Sequence, residues 1–415
     1  MNKKIAKFGL PLFIFLPIAG FITSLYNVRS YSTAIVYVGF AMLFGYAFSF
    51  ADPSADSFRY AQSFSRFDNR LNYDKIIFMY QTGELRDLYR LLLFYFTSTF
   101  TKNPKVMYAL AGLVYGIFSY LSLRVFVKEK GKTTDIFTFV LALVFFTYIS
   151  LANINGFRFW TGALIFFYSS YHFVIKRRYL WILGVMVTPL FHYGFIMVSP
   201  ILIIYGFVHP LLYNQKNYNP VLLYVFIVVF IASWFLQTNS IDLGFLGNVE
   251  ALSGEVSGRI SYLNSTDTAV LIDSRQQNSF FLSVQKYFNY AIKIYVFICI
   301  LYLNKFSKKL KGNKKQFNSL FAFVLFFYTF AFIATSFPSG GRFLNIAHLF
   351  FLLLFVKIYG VWTGKEIKSL ILWSLPVFSF HIAFTNGMLS LMILSKTFWY
   401  GNIFWIIYEG LGFYI

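Results

Sequence analysis

Long apolar runs separated by short basic connections repeat along the whole chain. A bilayer core about 30 Å thick is crossed by about 20 apolar residues in a helix. At that length the runs predict membrane helices over 8–26, 32–51, 106–127, 134–152, 157–175, 220–237, 284–303, 317–336, 343–361, 368–386 and 389–411. Two stretches depart from the pattern. Residues 88–100 are too few to cross unaided, and 180–208 are too many for one helix, with Pro189 and Gly194 in their middle. Proline removes a backbone donor and glycine weakens a helix, so this stretch predicts two short helices meeting inside the membrane. The total is about 13 or 14 helices by this spacing.

The fold expected is all-α, a polytopic transmembrane helical bundle. No period of 20 to 50 residues is visible, and no low-complexity tract divides the chain, so 1–415 reads as a single membrane domain. Its two hydrophilic excursions are a polar or interfacial segment at 51–87 and a large loop at 238–282. Connections of such length in a compact protein are usually functional or disordered.

Composition narrows the class further. Hydrophobic residues make up 58% of the chain and charged ones 12%, and the mean hydropathy is +0.63, far from the balance of a soluble domain. The 56 Phe and 31 Tyr supply rings suited to lipid contact and to the headgroup belt. Cys299 is the single cysteine, which excludes a disulfide framework, a cysteine metal site and a redox pair. The run after Lys3, Lys4 and Lys7 has no persuasive small-residue cleavage site and reads as the first membrane helix.

A formal charge of +21 would suit nucleic acid if it lay on one folded polar face. It lies instead in the connections: Lys128, Lys130 and Lys132; Lys176, Arg177 and Arg178; Lys305 to Lys315; Lys357, Lys365 and Lys368. Such clusters orient helices by the positive-inside rule and attract anionic lipid, so membrane lipids rather than nucleic acid are the partners expected. With the lysines inside, the connections at 153–157, 240–282, 337–342 and 385–387, and the bend at His192, share the outer face. Residues 51–87 resist this scheme. Their acids and bases nearly cancel, as in an external loop, yet helix counting from an inner N-terminus puts them inside. A re-entrant or interfacial 80–100 with the N-terminus outside would remove the conflict.

Ionisable side chains at helix ends in a membrane are functional candidates. Arg158 follows the polar turn Asn153-Ile154-Asn155-Gly156 at an outer helix start, where its fork of donors matches phosphate or carboxylate. The bland alternative is an arginine snorkelling to lipid phosphate beside Trp160. His192 sits at the hairpin break and can serve as acid, base or sugar hydrogen-bond donor, or simply satisfy carbonyls freed by the break. Arg342 follows Gly340 and Gly341 at a second outer helix start, as a ligand contact or as a lipid anchor. Asp52, Asp56, Arg59 and Tyr60 in the early loop, with Arg259, Tyr262 and Arg275 in the late one, suit carbohydrate and phosphate, since rings stack on sugars and guanidinium holds anions. A solvated loop face is the competing reading for each. Walker A, HExxH and GxSxG patterns are absent, and the remaining histidines are scattered, so neither a metal nor a cofactor is implied.

The order of these residues resembles a known family. Asp56 with Tyr60 four residues on, Asn155-x-x-Arg158, His192 at a helix break, Arg259-x-x-Tyr262 in a large outer loop and a late Gly341-Arg342 are similar to the layout of Wzy-type O-antigen polymerases, in particular the EpsG-like exopolysaccharide polymerases. The likeness covers nearly the whole chain in layout, though each motif is one or two residues wide. Phe159 stands where the family usually has Gln, and Ala55 where it has Gly.

The resemblance implies a GT-C-like fold in the bacterial inner membrane and a metal-independent glycosyltransferase acting at the periplasmic face. Its substrates would be oligosaccharide repeat units on undecaprenyl pyrophosphate, and a chain-length regulator and a flippase would be its protein partners. In that frame Arg158 and Arg342 hold the donor diphosphate, and His192 or Asp56 takes the acceptor proton. Arg259 and Tyr262 hold sugar, with Asn155, Arg59, Tyr60 and Arg275 as further substrate contacts. A lipid-linked oligosaccharide flippase or other transporter is the rival from another class, and it would show internal repeats and midplane site residues. A membrane acyltransferase would instead need a histidine or arginine cluster among the lysine-rich loops.

Overall fold

The computed structural model describes residues 7–53, 55–68, 74, 76, 78–79, 87–130, 136–212, 218–235, 280–307, 314–336, 340–361, 369 and 382–411. Among them the chain forms helices and turns with no strand, apart from an isolated antiparallel bridge between Phe48 and Leu394. Five stretches are long and apolar enough to cross a bilayer: Pro104–Glu129, Val140–Ile175, Phe195–Leu212, Tyr287–Lys305 and Lys315–Ala334. An all-α bundle of such helices is that of a membrane protein.

The helices among the described residues are α1 (Gly9–Phe15), α2 (Pro17–Ser24), α3 (Tyr31–Tyr46), α4 (Asp56–Ser65), α5 (Leu88–Ser98), α6 (Pro104–Lys130), α7 (Ile136–Tyr148), α8 (Phe157–Ser170), α9 (Ile182–Phe191), α10 (Phe195–Leu212), α11 (Tyr218–Ala232), α12 (Phe280–Ser307), α13 (Lys314–Ala334), α14 (Arg342–Val361), α15 (Met388–Ile393), α16 (Thr397–Tyr400) and α17 (Ile403–Leu411). The stretch Val140–Ile175 is a hairpin. Phe126 on α6 meets both Phe145 on α7 and Phe167 on α8, at 5.7 and 5.3 Å between ring centroids. Nearer the start of α6, Tyr115 and Tyr108 donate to the carbonyls of Ser150 and Asn155, at 2.6 and 3.3 Å. The chain therefore reverses through the 3-10 turn Leu151–Gly156.

This reversal defines an end of the bundle, the arginine end, where α6, α8 and α14 begin. The opposite, lysine end is closed by Glu129, which pairs with Lys176 at 2.5 Å and Lys357 at 3.4 Å and accepts a hydrogen bond from the Tyr171 hydroxyl. Three of the basic connections thus share one end, as the charge pattern predicts. Between the ends, α3 runs antiparallel to α6 at backbone contact. A Cβ on Gly45 would lie 2.1 Å from the Tyr108 carbonyl oxygen, and one on Gly112 would lie 2.3 Å from that of Ala41. Small residues permit this approach in a membrane, where packing rather than water exclusion drives helices together. Tyr37 and Ser119 bond across the seam at 2.7 Å, and Arg29 donates to the Val127 carbonyl at 2.7 Å.

Three expectations are corrected. Residues 8–26 are not one membrane helix. Pro17 has no N–H to continue a helix, Leu16 leaves helical geometry at φ −137°, and α2 folds back on α1. A Cβ on Gly20 would lie 2.3 Å from the Phe13 nitrogen, so only glycine permits so tight a return. Both arms of this hairpin end toward the lysine end, where Thr33 donates to the Ser24 and Asn27 carbonyls. The first crossing is therefore α3, which delivers residues 47–68 to the arginine end. That places the described residues of 51–87 at the arginine end, one crossing away from α1. Helix α5 does stay at the arginine end: Asp87 before it pairs with Arg158, and Asn103 after it donates to Gly410.

Residues 389–411 are not one helix either. They form α15, α16 and α17, with breaks at Leu394 and Gly401. Leu394 is held by the bridge to Phe48, with Ser395 donating to the Ala47 carbonyl at 2.8 Å, and Tyr46 bonds the Ile407 carbonyl at 3.0 Å. From Leu394 onward the segment dips in from the arginine end and returns to it. Its Phe398 reaches Phe40 at 5.6 Å, and Phe21 of the N-terminal hairpin stacks on the same ring at 4.2 Å. Two partial-depth hairpins from opposite ends thus meet at the middle of α3. The third correction is α10, which has 18 residues rather than being a short arm, so the α9–α10 turn lies at the arginine end and not at mid-membrane. The run 368–386 lies outside the described residues up to 381, apart from 369, and ends in a π turn, Ile382–Gly387.

Candidate functional site

Asn153, Asn155 and Gly156 favour turns over helix interior, and the turn they make is pinned from two sides. Tyr108 bonds the Asn155 carbonyl, and the Asn155 side-chain oxygen accepts the backbone N–H of Ser57 at 2.7 Å. Asn155 therefore caps α4 from 98 residues away. One consequence is that Asp56, the first residue of α4, sits over Gly156, where a Cβ would lie 3.4 Å from its carboxylate oxygen.

Arg158 is the second residue of α8. A cation in the first turn opposes the helix dipole and needs a counter-charge. Asp87 supplies it: its Oδ2 pairs with the guanidinium, and it is 1% exposed against 16% for Arg158. The arginine Nε donates to the Tyr60 hydroxyl at 2.8 Å, and its Cζ lies 5.1 Å from the Tyr60 ring centroid. Burial pushes the Tyr60 phenol above its ordinary value of 10.0, against the pull of Arg158, so it remains a neutral hydroxyl. The other Asp87 oxygen accepts the backbone N–H of Tyr193 at 3.0 Å, which ties α8 to the α9–α10 turn.

At that turn His192 is extended, with φ −157°, and its Nδ1 accepts the Gly194 N–H at 3.0 Å. That bond places the neutral ring's proton on Nε2. The ring stands edge-on to Phe159 at 5.2 Å. Arg342, the first residue of α14, sets its guanidinium 5.4 Å from the same Phe159 ring, and Phe343 packs against Phe159 and Phe195 at 5.6 and 5.7 Å. Among the described residues Arg342 has no ion pair and no side-chain hydrogen bond. On the other flank of Arg158, Phe157 carries Tyr60, Tyr89 and Tyr108 on its ring, at 5.2, 5.7 and 5.6 Å.

Arg158, Tyr60, Asn155, Asp56, His192 and Arg342 are thus gathered at one end of the bundle around Phe157 and Phe159. Arg59 is nearby but turned outward, paired with Asp56 and 62% exposed. Arg259, Tyr262 and Arg275 lie outside the described residues. Sequence reasoning missed two members of the group. Asp87 is one lone acid among several in a polar segment, and only its place directly before an apolar run marks it. Phe159 reads as a departure from a family pattern, and its role as shared platform depends on three distant elements. A cavity of about 220 Å³ lies along α4, lined by Phe50, Phe58, Ala61, Gln62, Ser65, Pro104 and Lys105, none of them a predicted site residue.

The fold and this group define the class: an α-helical membrane bundle with two guanidiniums at one end, of which Arg158 alone is paired with a carboxylate among the described residues. Comparison with known proteins takes the particular protein no further, since no family model, no curated protein and no solved structure matches the chain.

Proposed function

We propose that the chain is a GT-C-like membrane glycosyltransferase of the bacterial inner membrane, with the arginine end facing the periplasm. It joins oligosaccharide repeat units carried on a polyprenyl diphosphate, as O-antigen and exopolysaccharide polymerases do. The observation that carries the reading is the shared Phe159 ring, which brings Arg342 and His192 together one residue from Arg158, at the end opposite Lys176 and Lys357.

In this reading an acceptor sugar hydroxyl attacks the donor's anomeric carbon. The bond from that carbon to the diphosphate oxygen breaks, and the electron pair leaves with the diphosphate. Arg342 and Arg158 meet the charge as it develops, which supports departure without a metal ion. His192 presents an N–H rather than a free lone pair, so its part is to donate to sugar or to the leaving oxygen. The acceptor proton goes to Asp56, whose carboxylate is 28% exposed beside the Asn155 turn. The test is extension of lipid-linked repeat units by the purified protein: Arg158→Ala and Arg342→Ala abolish long products. Near-normal chain length in both variants would overturn the assignment.

A flippase is the second reading, and the two partial-depth hairpins that meet on Phe40 favour it, since broken helices line transporter paths. A deletion strain separates the two. Loss of the polymerase leaves single-unit lipopolysaccharide, whereas loss of the flippase removes that as well.

A further inference from the structure

Asp87 does something unusual for an aspartate at a helix start. It occupies the N-cap position of α5 with extended backbone, where its side chain would ordinarily accept an N–H of the first turn, and it makes no such bond. Both oxygens are turned away from its own helix, one to the Arg158 guanidinium and one to the Tyr193 N–H. Giving up a cap is unfavourable, so the tertiary contacts outweigh it. The two arginines of the site therefore differ. Arg342 meets Phe159 with no carboxylate on it among the described residues, whereas Arg158 is matched by a carboxylate that is 1% exposed.

From this geometry we infer that Asp87 is an internal counter-anion that competes with the ligand's diphosphate for Arg158. Arg342 receives the diphosphate first, and the phosphate then exchanges for Asp87 on Arg158. Because the other oxygen of Asp87 holds the Tyr193 N–H, the exchange is felt at the turn that carries His192. Asp87 is thus a positioning residue, acting through Arg158 and the turn. This inference rests on the diphosphate reading of the site and adds to it a competitor and an order of binding.

The test is the affinity of the purified full-length protein in detergent for inorganic pyrophosphate, measured by isothermal titration, with thermal unfolding as a check of folding. Asp87→Asn removes the competing charge while keeping an acceptor for Tyr193, and is expected to bind pyrophosphate about tenfold more tightly, the change that 1.4 kcal/mol produces. Asp87→Ser gives the same gain if the asparagine variant does not fold. Asp87→Glu, which keeps the charge, stays near wild-type affinity, and adding Arg158→Met to Asp87→Asn removes the gain. Unchanged or weaker binding in folded Asp87→Asn and Asp87→Ser overturns the inference, as does a gain that survives Arg158→Met. An equal gain with inorganic phosphate overturns the diphosphate assignment in favour of an ordinary phospholipid headgroup. Failure of the wild type to extend lipid-linked repeats sinks the polymerase reading alone, because the pyrophosphate gain is read without turnover.

Discussion

Each end of the bundle is organised by one carboxylate, and the two carboxylates do different work. At the lysine end Glu129 is shared by Lys176 and Lys357 and by the Tyr171 hydroxyl, so one acid fastens α6, the end of α8 and α14. Lys176 is 37% exposed, and its ammonium is a flexible point charge that water serves nearly as well. At the arginine end Asp87 is almost fully buried and holds a planar guanidinium and a backbone N–H in fixed directions. The first arrangement sets which face the basic connections share. The second fixes where a guanidinium points, which is what recognition of a ligand requires and helix orientation does not.

The sharpest way to break the comparison is to ask whether these are two faces of a membrane at all. Cysteines placed at Lys7 and at Arg59 label with a membrane-impermeant thiol reagent from opposite sides, an all-or-none result that buried Cys299 does not obscure. Labelling from one side would return α1 and α2 to a single crossing helix. The next largest effect is on stability. Arg158→Ala takes the guanidinium from the buried Asp87 carboxylate, and thermal or denaturant unfolding in detergent shows a loss of about 3–5 kcal/mol. A loss below about 1 kcal/mol would mean that Asp87 is not held as a charge.

Between the ends, Gly45→Ala forces a methyl against the Tyr108 carbonyl, and overpacking of this kind lowers stability by about 1–3 kcal/mol in the same assay. No loss would show that α3 and α6 have slack. The smallest effect is expected at the lysine end. Lys176→Met removes a half-exposed partner while Lys357 remains on Glu129, so unfolding shifts by about 0.5 kcal/mol. A loss as large as that of Arg158→Ala would erase the distinction between the ends.

Much of the fold was legible along the chain because membrane helices announce themselves by length and apolarity. The runs around α6, α8, α12, α13 and α14 lie close to where the pattern places them. The failures share a cause. Runs 8–26 and 389–411 have the composition of crossing helices, and their return depends on Leu16 and Pro17, and on Leu394 bridged to Phe48, features too local for a hydropathy window. In the site, Arg158, His192 and Arg342 were visible as cations and an imidazole at helix ends. Asp87 and Phe159 were not, because an acid in a polar segment and a phenylalanine in a chain rich in them carry no local mark.

Sequence alone determined the solvent this protein folds in, the approximate lengths of its helices and the common end of the connections at Lys128, Lys176 and Lys357, since each follows from residue counts within one segment. Only the tertiary structure decided which apolar runs cross and which turn back, and that the partner of Arg158 is an aspartate 71 positions away. Those outcomes depend on what stands opposite a residue once the helices pack. A buried charge selects its counter-charge by distance in space, which the order of residues does not encode.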